Sequence, residues 1–334
     1  MTVSTGALKR VSVDELTIRR VRSGRGFSYV RPDGRPLRDE RTLFRLKRLA
    51  VPPAYDDVVF AANTRAHIQA MGIDSAGRRQ YRYHPDWEKI RETRKAKRLT
   101  GLVHCLPKIR RAITTHLGNV EPNRETALAA VVDLIACTAL RPGSESYARD
   151  HGTRGAATLL KSNVTLTGDK IRLRFRGKGG HQIEKELRSR RLVRIFRGLM
   201  SLPGTRLFQY RDDDGSVRKI TRRDVNSFLQ SLTPEKITLK DFRTMIACSC
   251  ALIHLADLTP KPSQRGRRKQ VKEALRAVAD ELANTPAVCA KSYVHAALVD
   301  AFETGALARM SRRAGRRSSR TGRERMLATV LQAH

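Results

Sequence analysis

The stretch Arg124–Leu140 reads RETALAAVVDLIACTAL, and it is the most informative part of the chain for the fold. Its apolar residues recur at helical spacing, and Leu128, Val131 and Ile135 are among those that fill one broad face. That pattern predicts a long helix packed against a core. The Arg141-Pro142-Gly143 that follows is typical of a helix end, because proline and glycine both interrupt the helical backbone.

A β-hairpin is predicted after this helix. Residues 171–176 alternate between apolar and arginine side chains, which is the period of a strand with one buried face. The segment Gly177–Gly180 then turns the chain back towards a second apolar run that begins at Ile183. Lys178 would therefore stand at the tip of a basic hairpin.

Two further helices begin with the sequence of a capping box, in which a hydroxyl and an acid three residues later satisfy the first backbone N–H groups. Thr221 with Asp224 marks one helix start. Thr238 with Asp241 marks the other, ahead of an apolar helix that runs to about Leu255.

The last third of the chain is strongly basic. Thr259–Lys272 is rich in proline and arginine without an apolar period, and it predicts an irregular connection. Thr285-Pro286 predicts the start of the last helix, with proline at its favoured first position and Tyr293 inside the helix. Arg309–Arg325 has eight arginines and one acid among Ser and Gly, which predicts a disordered arm.

The first part of the chain has a different pattern. From Gly26 to Trp87, turn signals separate short apolar runs such as Phe27–Val30 and Val58–Ala61, which indicates a small, mostly β domain. One helix is predicted around Thr42–Leu49. The charged stretch Glu88–Arg98 is typical of a linker or of a helix that leads into the next domain.

The composition points to a polyanion as partner. Of 334 residues, 67 are Lys or Arg and 32 are Asp or Glu, a formal net charge of +35. An ordinary metabolic enzyme gains nothing from that self-repulsion, whereas a nucleic-acid-binding protein releases counterions with each phosphate it neutralises. The excess lies in both parts of the chain, so we expect two surfaces that face one extended nucleic acid. The 40% of hydrophobic residues excludes wholesale disorder.

Other classes of protein are excluded by what the sequence lacks. Five scattered cysteines argue against a secreted disulfide framework and for a reducing cytoplasm, and those on the apolar helix, Cys248 and Cys250, are expected to be buried structural thiols. No run approaches 18 consecutive apolar residues, so no membrane partner is expected. Metal-ligand spacings and the phosphate-loop signature are also missing, so we expect neither a metal nor a nucleotide cofactor.

Four polar residues stand at the ends of predicted elements. Arg141 follows a helix, Lys178 tips the hairpin, Arg243 lies in the first turn of a helix, and Tyr293 lies in the last helix. Each has an ordinary structural reading on its own: a helix cap, a turn lysine, a surface arginine and a packing tyrosine. Composition and periodicity do not decide between these roles and catalysis.

Five segments in order resemble the active site of the type IB DNA topoisomerases, particularly the compact bacterial and poxvirus-like branch. They are Arg141–Tyr147 (RPGSESY), Phe175–Gly179 (FRGKG), Lys240–Thr244 (KDFRT), Leu282–Pro286 (LANTP) and Ala290–Tyr293 (AKSY). Upstream, residues 77–84 (GRRQYRYH) resemble the family's N-terminal DNA-contacting segment. The resemblance covers about residues 20–305, and the order and spacing of the segments are far more specific than any segment alone.

The resemblance implies a role for each matching residue. Tyr293 would attack a phosphodiester and form a 3′-phosphotyrosyl link, and Lys178 would be the general acid for the departing 5′-oxygen. Arg141 and Arg243 would hold the nonbridging oxygens, because planar guanidinium groups are permanently charged and bidentate. Poxviral and eukaryotic members have His nine residues before the tyrosine. This chain has Asn284 there, as bacterial relatives do, and Asn284 would donate a hydrogen bond.

The expected partner is double-stranded DNA, which the enzyme would relax as a monomer in the cytoplasm, associated with the nucleoid. The candidate DNA-contacting residues are Tyr81, Arg82, Tyr83, Tyr147, Arg174, Arg176 and Lys240. We predict an α+β fold that forms a two-lobed DNA clamp. Residues 1–92 would be a mostly-β DNA-binding domain, residues 93–305 a mainly helical catalytic domain with a β-hairpin, and residues 306–334 a basic C-terminal arm.

Two other functions fit part of the sequence. A tyrosine recombinase or integrase has similar catalytic residues, but it usually carries His three residues before the second arginine, where this chain has Lys240, and its N-terminal domain is typically all helical. A noncatalytic architectural DNA-binding protein would explain the charge alone. It would form no covalent DNA adduct.

Overall fold

The computed structural model describes residues 8–119, 121–314 and 319–333. Over that part, the protein is a mixture of helix and sheet with a small, sheet-rich N-terminal part. The chain divides into two compact units between Arg94 and Lys95.

The N-terminal unit is built on a five-stranded antiparallel sheet with the order β2-β1-β3-β4-β5. Its elements are β1 (Ile18–Ser23), β2 (Gly26–Val30), helix α1 (Glu40–Arg48), β3 (Asp56–Phe60), β4 (Ile68–Ile73) and β5 (Arg79–Tyr83). The predicted helix around Thr42–Leu49 and the strands at Phe27–Val30 and Val58–Ala61 are thus confirmed to within two residues.

Apolar side chains cover both faces of this sheet, because successive residues of a strand point to opposite sides. On one face Phe60 and Ala70 pack with Leu46 of α1, and on the other Met71 packs with Leu16 and Ile68. Two small apolar clusters, one on each face, therefore stabilise the sheet.

Helix α2 (Pro85–His116) includes the stretch predicted as a linker or helix. Glu88–Arg98 is helical throughout, and the division between the units falls within it. Leu99, Leu102, Leu106 and Ile109 recur along the following turns of α2 and are buried in the core of the C-terminal unit. The charged stretch is thus the first part of a helix whose later turns are packed in that core.

The C-terminal unit contains the remaining helices and two small sheets. Its elements are α3 (Arg124–Thr138), α4 (Glu145–His151), β6 (Val164–Thr167), β7 (Lys170–Arg176), β8 (Gln182–Arg188), α5 (Arg190–Ser201), β9 (Gln209–Arg211), β10 (Val217–Lys219), α6 (Arg222–Leu232), α7 (Leu239–Ala256), α8 (Gln264–Leu282), α9 (Pro286–Ser292), α10 (Ala296–Glu303), α11 (Ala306–Ala314) and α12 (Arg320–Gln332). Within the described ranges, no helix has the length and apolar character that crossing a membrane requires.

The decisive helix α3 is the centre of the core. Residues 127–132 are fully buried on all sides of the helix, where the sequence predicted one broad apolar face. Asn123 caps its start by accepting from the N–H of Thr126 at 2.9 Å. The helix ends at Thr138 because Ala139 adopts a left-handed conformation (φ 54°).

The predicted hairpin is confirmed as β7 and β8, paired from Lys170 with Arg188 to Arg176 with Gln182. Strand β6 adds a third antiparallel strand that the sequence analysis did not predict. The predicted helix starts are also confirmed: Thr221 and Thr238 each donate a backbone N–H and a hydroxyl to an acid three residues on.

The C-terminal arm is a correction to the sequence prediction. The stretch Arg309–Arg325 was expected to be disordered, yet α11 and α12 are helices whose Leu307, Leu327 and Leu331 are buried in the main core. The side chain of Arg110 in α2 binds the buried Glu324 of α12 through two hydrogen bonds of 2.9 and 2.5 Å. The basic composition concealed an amphipathic pattern, and residues 315–318 lie outside the described part.

Two further expectations are wrong in detail. The connection predicted over Thr259–Lys272 ends early, because α8 begins at Gln264 with its N–H groups capped by Ser263. The helix that starts at Thr285-Pro286 is not the last one, since α10, α11 and α12 follow it. Helices α8 and α12 begin with arginine-rich turns and have their buried apolar residues later, so no apolar period marks where they start.

Candidate active site

Tyr293 lies directly after the last residue of α9, whereas the sequence predicts it inside the helix. Thr285 caps the start of α9, and Tyr293 follows the last helical residue with φ −120° and ψ −55°. The N–H groups of Tyr293 and Val294 both donate to the carbonyl of Cys289, at 3.0 and 2.9 Å. The thiol of Cys248 in α7 contacts the Tyr293 carbonyl at 3.3 Å. These bonds fix the backbone from which the phenol projects.

Arg243 is buried, with 2% of its surface exposed, although its ordinary reading was a surface arginine. It is the fifth residue of α7, one position beyond the first turn in which the sequence placed it. Its two Nη atoms donate to the backbone carbonyls of Ala139 and Leu282, and its Nε donates to Tyr293 Oη at 3.2 Å. The guanidinium is therefore held on two sides and directed at the phenol on the third.

The two carbonyls that hold Arg243 belong to the ends of two helices. Ala139 follows α3 and Ala283 follows α8, and both alanines adopt left-handed conformations (φ 54° and 46°). At the end of α8 the N–H of Asn284 donates to the carbonyl of Ala279 at 2.9 Å, which closes the helix. The negative ends of both helix dipoles thus face the buried guanidinium and compensate its charge.

The same helix ends deliver Arg141 and Asn284 to the site. An Nη of Arg141 donates to Oδ1 of Asn284. Because its oxygen is bound in this way, the NH₂ group of Asn284 is left to interact with the phenol of Tyr293, whose pKa it lowers; Nδ2 is buried and lacks a hydrogen bond of full geometry with any residue that the structure describes. A buried amide donor without an acceptor is costly, so the site is prepared for an acceptor brought by a ligand.

The loop that carries Arg141 is fixed by Gly155. The N–H groups of Ala156 and Ala157 donate to the carbonyls of Arg141 and Pro142 at 2.8 and 2.9 Å. A Cβ atom at Gly155 would lie 2.5 Å from the Arg141 carbonyl oxygen, so only glycine permits this approach.

Lys178 stands at the tip of the hairpin, as predicted. The turn is closed by hydrogen bonds from the N–H of Gly177 to the carbonyl of His181 and from the N–H of Gly180 to the carbonyl of Gly177. Gly179 and Gly180 have φ of 78° and 79°, which glycine adopts without strain. The turn is compact, and Lys178 is exposed on it.

Arg141, Lys178, Arg243 and Tyr293 line one cleft of about 710 Å³, whereas Asn284 is not part of its lining. The cleft contains Arg141, Tyr147, Arg154, Lys178, Arg222, Lys240, Arg243 and Tyr293. Its described lining has six cationic side chains and no carboxylate. The positive potential of such a cleft suits the phosphates of a nucleic acid.

Arg154 and Arg222 are cleft residues that the sequence analysis missed. Arg222 is the first residue after the helix cap Thr221, so its place at a predicted helix start was a usable signal. Arg154 lies in a loop, so no periodic pattern in the sequence indicates its position. Its backbone N–H donates to the carbonyl of Arg176 at 2.7 Å, and this bond places Arg154 beside the hairpin.

The surroundings of Tyr293 change its acidity. Burial raises the pKa of the phenol, but Arg243, Arg141 and Asn284 together lower the pKa by more than burial raises it. The result is a pKa below the ordinary tyrosine value of about 10. The phenolate, which is the nucleophilic form, is therefore favoured by the same cations that surround it.

The other candidate DNA-contacting residues are more dispersed. Tyr147 is 55% exposed and packs on His151, with ring centroids 5.5 Å apart. Lys240 is exposed at the start of α7 in the cleft, whereas Arg174 and Arg176 are exposed on the outer face of β7 and do not line it.

In the N-terminal unit, Tyr81 and Tyr83 lie on one face of β5 and Arg82 on the other. The two tyrosine rings stack at 6.1 Å, and Tyr83 stacks on Trp87 at 6.2 Å. Arg82 donates to the carbonyl of Ala50 at 2.9 Å. Strand alternation therefore places Arg82 on the opposite face of β5 from the two tyrosines.

The cysteines and acids form no metal site in the described ranges. Groups of three or more His, Cys, Asp or Glu side chains that could hold an ion are absent there. The five cysteines form no disulfide with one another, and Cys248 and Cys289 are buried. Cys250 is half-buried, and burial with the nearby Glu281 raises its pKa to about 11.

Two family models match the chain. The model described as "Eukaryotic DNA topoisomerase I, catalytic core" matches residues 81–313, and the model described as "Bacterial DNA topoisomerase IB, N-terminal domain" matches residues 26–74. The first match contains every residue that lines the cleft.

Several viral proteins are similar to the chain over most of their length. DNA topoisomerase 1B of Acanthamoeba polyphaga mimivirus is 32% identical over 284 residues, which cover 83% of this chain and 84% of the viral protein. DNA topoisomerase 1B of vaccinia virus (strain Copenhagen) is 21% identical over 279 residues, or 79% and 83%. DNA topoisomerase 1 of rabbit fibroma virus (strain Kasza) is 23% identical over 259 residues, or 75% and 78%.

Proposed function

Because this chain belongs to the type IB DNA topoisomerases, we propose that Tyr293 in its cation-lined cleft cuts and reseals one strand of duplex DNA. The type IB DNA topoisomerase activity follows from the family. The proposal concerns which residues carry out this activity and what each of them does.

The reaction is a transesterification at phosphorus. Tyr293 Oη loses its proton and forms a bond to the phosphorus, while the bond from phosphorus to the 5′-oxygen breaks. Lys178, at the hairpin tip, gives its proton to that oxygen, so the products are a 3′-phosphotyrosyl link and a free 5′-hydroxyl. The lowered pKa of Tyr293 supports its role as nucleophile.

The developing negative charge is held by Arg141, Arg243 and Asn284. Each Nη group of Arg243 uses one N–H on a backbone carbonyl and keeps a second for a phosphate oxygen. Asn284 is bound to Arg141 through its oxygen, and its NH₂ group would add a donor beside the phenol. Donors fixed before the substrate arrives need no reorganisation during the reaction, which is the main source of such stabilisation.

Religation reverses the same step. The free 5′-hydroxyl gives its proton to Lys178 and its oxygen forms a bond to the phosphorus, while the bond from phosphorus to Tyr293 Oη breaks and the tyrosine leaves as phenolate. The ester conserves the bond energy between the two steps. Neither ATP nor a metal ion is needed in this scheme. While the 5′ end is free, the duplex rotates about the intact strand and loses supercoils.

The arrangement of the whole enzyme on DNA is part of the proposal. We infer that the sheet-rich N-terminal unit and the C-terminal unit act as two lobes that close around one duplex, with Tyr81 and Tyr83 on the first lobe. One chain supplies all the proposed catalytic residues, which supports action as a monomer. Cytoplasmic action on nucleoid DNA agrees with cysteines that form no disulfide.

The observation that carries the proposal is the contact of Arg243 Nε with Tyr293 Oη at 3.2 Å inside a cleft lined by cations. The test is relaxation of supercoiled plasmid in EDTA without ATP, together with detection of DNA covalently bound to protein. We expect relaxation and a 3′ adduct with the natural chain, and loss of both with Tyr293→Phe, which removes one oxygen.

Tyr293→Phe must still bind DNA and melt as the natural chain does for that loss to be informative. Normal relaxation by this variant would overturn the proposal. Binding without any adduct by the natural chain would favour an architectural protein instead.

A further inference from the structure

Lys185 is a cation on the inward-facing side of β8. Alternation along the strand gives Ile183, Lys185 and Leu187 one face, while Glu184 and Glu186 take the exposed face. The side chain of Lys185 is only 19% exposed. A charge in that position is costly unless it is paired and hydrogen-bonded.

The partner of Lys185 is the end of helix α8. Its Nζ donates to the backbone carbonyl of Glu281 at 2.7 Å and to the carboxylate of the same residue at 3.3 Å. Carbonyls in the last turn of a helix have no partner within the helix, and a cation there interacts favourably with the helix dipole. Lys185 thus ties the hairpin to a helix end that lies 96 residues further along the chain.

Both ends of this tie carry residues of the proposed mechanism. The hairpin carries Lys178, and residues just beyond Glu281 provide the Leu282 carbonyl that holds Arg243 and the side chain of Asn284. Lys178 and Lys185 also line one small cavity together with Glu281.

The two ends do not depend on Lys185 equally. The end of α8 is held independently, by Arg243 at the Leu282 carbonyl and by Arg141 at the Asn284 side chain. Among the described hydrogen bonds, the hairpin near its tip has one other bond to the rest of the unit, from the N–H of the loop residue Arg154 to the carbonyl of Arg176, and no second side-chain anchor. Loss of the tie therefore displaces the hairpin more than the helix.

We propose that Lys185 is a positioning residue that holds the hairpin against α8, so that Lys178 stands at the leaving 5′-oxygen. This inference rests on the proposed function, in which Lys178 protonates that oxygen as its bond to phosphorus breaks and the Tyr293–phosphorus bond forms. Without the tie, the step that needs the proton is slowed.

The test uses two duplex oligonucleotides that the natural chain is first shown to cleave at one position. One has the ordinary bridging 5′-oxygen there, and the other has sulfur in its place. A thiol has a pKa of about 8.5, far below that of an alcohol, so the thiolate leaves without a proton. Single-turnover cleavage of the sulfur substrate therefore does not require the general acid.

For Lys185→Met we expect cleavage of the oxygen substrate to slow about tenfold, the scale of a displaced catalytic group, and cleavage of the sulfur substrate to stay near the natural rate. Lys185→Arg keeps donors for the Glu281 carbonyl and should recover most of the oxygen rate. The matched control is Lys170→Met in the same sheet, whose exposed side chain pairs with Glu186 at 3.6 Å; both its rates should be unchanged.

The ratio of the two rates is measured on one enzyme preparation, so a partly unfolded variant does not confuse the result. Equal slowing on both substrates, or no slowing on either, would overturn the role of Lys185. Lys178→Ala separates this inference from its premise. If Lys178→Ala is equally slow on both substrates, the general-acid role itself is wrong; if sulfur rescues Lys178→Ala but not Lys185→Met, only the positioning role fails.

Discussion

The guanidinium of Arg243 contacts three parts of the chain at once: the end of α3, the end of α8 and the phenol of Tyr293. A lysine in its place would bring a single charged point, which cannot bind three groups in one plane. The arginine is thus part of the packing and part of the proposed chemistry. Its burial is what directs its third donor at the nucleophile.

The acidity of Tyr293 gives a prediction at the level of single residues. With the sulfur substrate, which needs no general acid, the cleavage rate should rise with pH and level off above the pKa of Tyr293, at a pH below 10. Asn284→Ala removes one of the interactions that lower this pKa, so the midpoint should move to higher pH. Single-turnover rates measured from pH 6 to pH 10 check this.

Asn284→Asp serves as the graded companion variant. Its added carboxylate disfavours the phenolate, so its midpoint should move further in the same direction. Midpoints that stay the same in both variants would show that Asn284 does not act on the phenol.

At the scale of elements, the C-terminal helices are part of the core of the larger unit. Leu327 and Leu331 of α12 are buried there, and Glu324 binds Arg110 of α2 through two hydrogen bonds. Helix α12 also packs on α7, which carries Arg243. Helix α12 thus packs against the helix that holds Arg243 in the site.

Leu327→Ala should therefore destabilise the C-terminal unit by about 3 kcal/mol, the usual cost of removing a fully buried leucine side chain. Denaturant unfolding of the full chain measures this. The matched control is Thr329→Ala on the exposed side of the same helix, where the change should be within about 0.5 kcal/mol. A Leu327→Ala variant as stable as the control would mean that α12 does not pack as described.

Elements with strong local signals could be predicted from the sequence, and elements without them could not. The capping residues Thr221 and Thr238, the proline at the start of α9 and the glycines at the hairpin turn each mark a boundary within a few residues. By contrast, α12 starts with RTGRER, and its apolar residues begin only at Met326. Strand β6 is four residues long, too short for a periodicity to appear.

At the scale of the whole molecule, the net charge is +35, and the cleft is a place where cations are not balanced: six of them line it without a described carboxylate. Elsewhere many arginines are paired with acids. Arg218, for example, contacts Asp212 and Asp214 at 2.7 and 2.8 Å. Only cations that are not already neutralised add to the affinity for DNA phosphates.

Salt dependence tests this distinction. In the Tyr293→Phe background, which prevents cleavage, Arg222→Ala should reduce the slope of log affinity against log salt concentration by about one, with weaker binding to every sequence. Arg218→Ala, the matched control, should leave the slope unchanged because its charge is already compensated. Equal slopes for the two variants would show that the cleft does not contact phosphate at Arg222.

The cleft residues Arg141, Lys178, Arg243 and Tyr293 could be singled out because each has a motif around it in the chain. Contacts between distant segments have no such mark. The bond from Lys185 to Glu281 joins residues 96 apart, and Arg154 enters the cleft only because its loop pairs with the hairpin. These contacts depend on tertiary packing, so no local pattern predicts them.

The three groups that accept hydrogen bonds from Arg243 belong to residues 139, 282 and 293. These residues are far apart in the sequence and come together only in the folded C-terminal unit. A nascent, truncated or heat-damaged chain therefore has a tyrosine and an arginine but no reactive pair. The reactive pair exists only in the folded unit, and this protects DNA from cleavage by incomplete or unfolded chains.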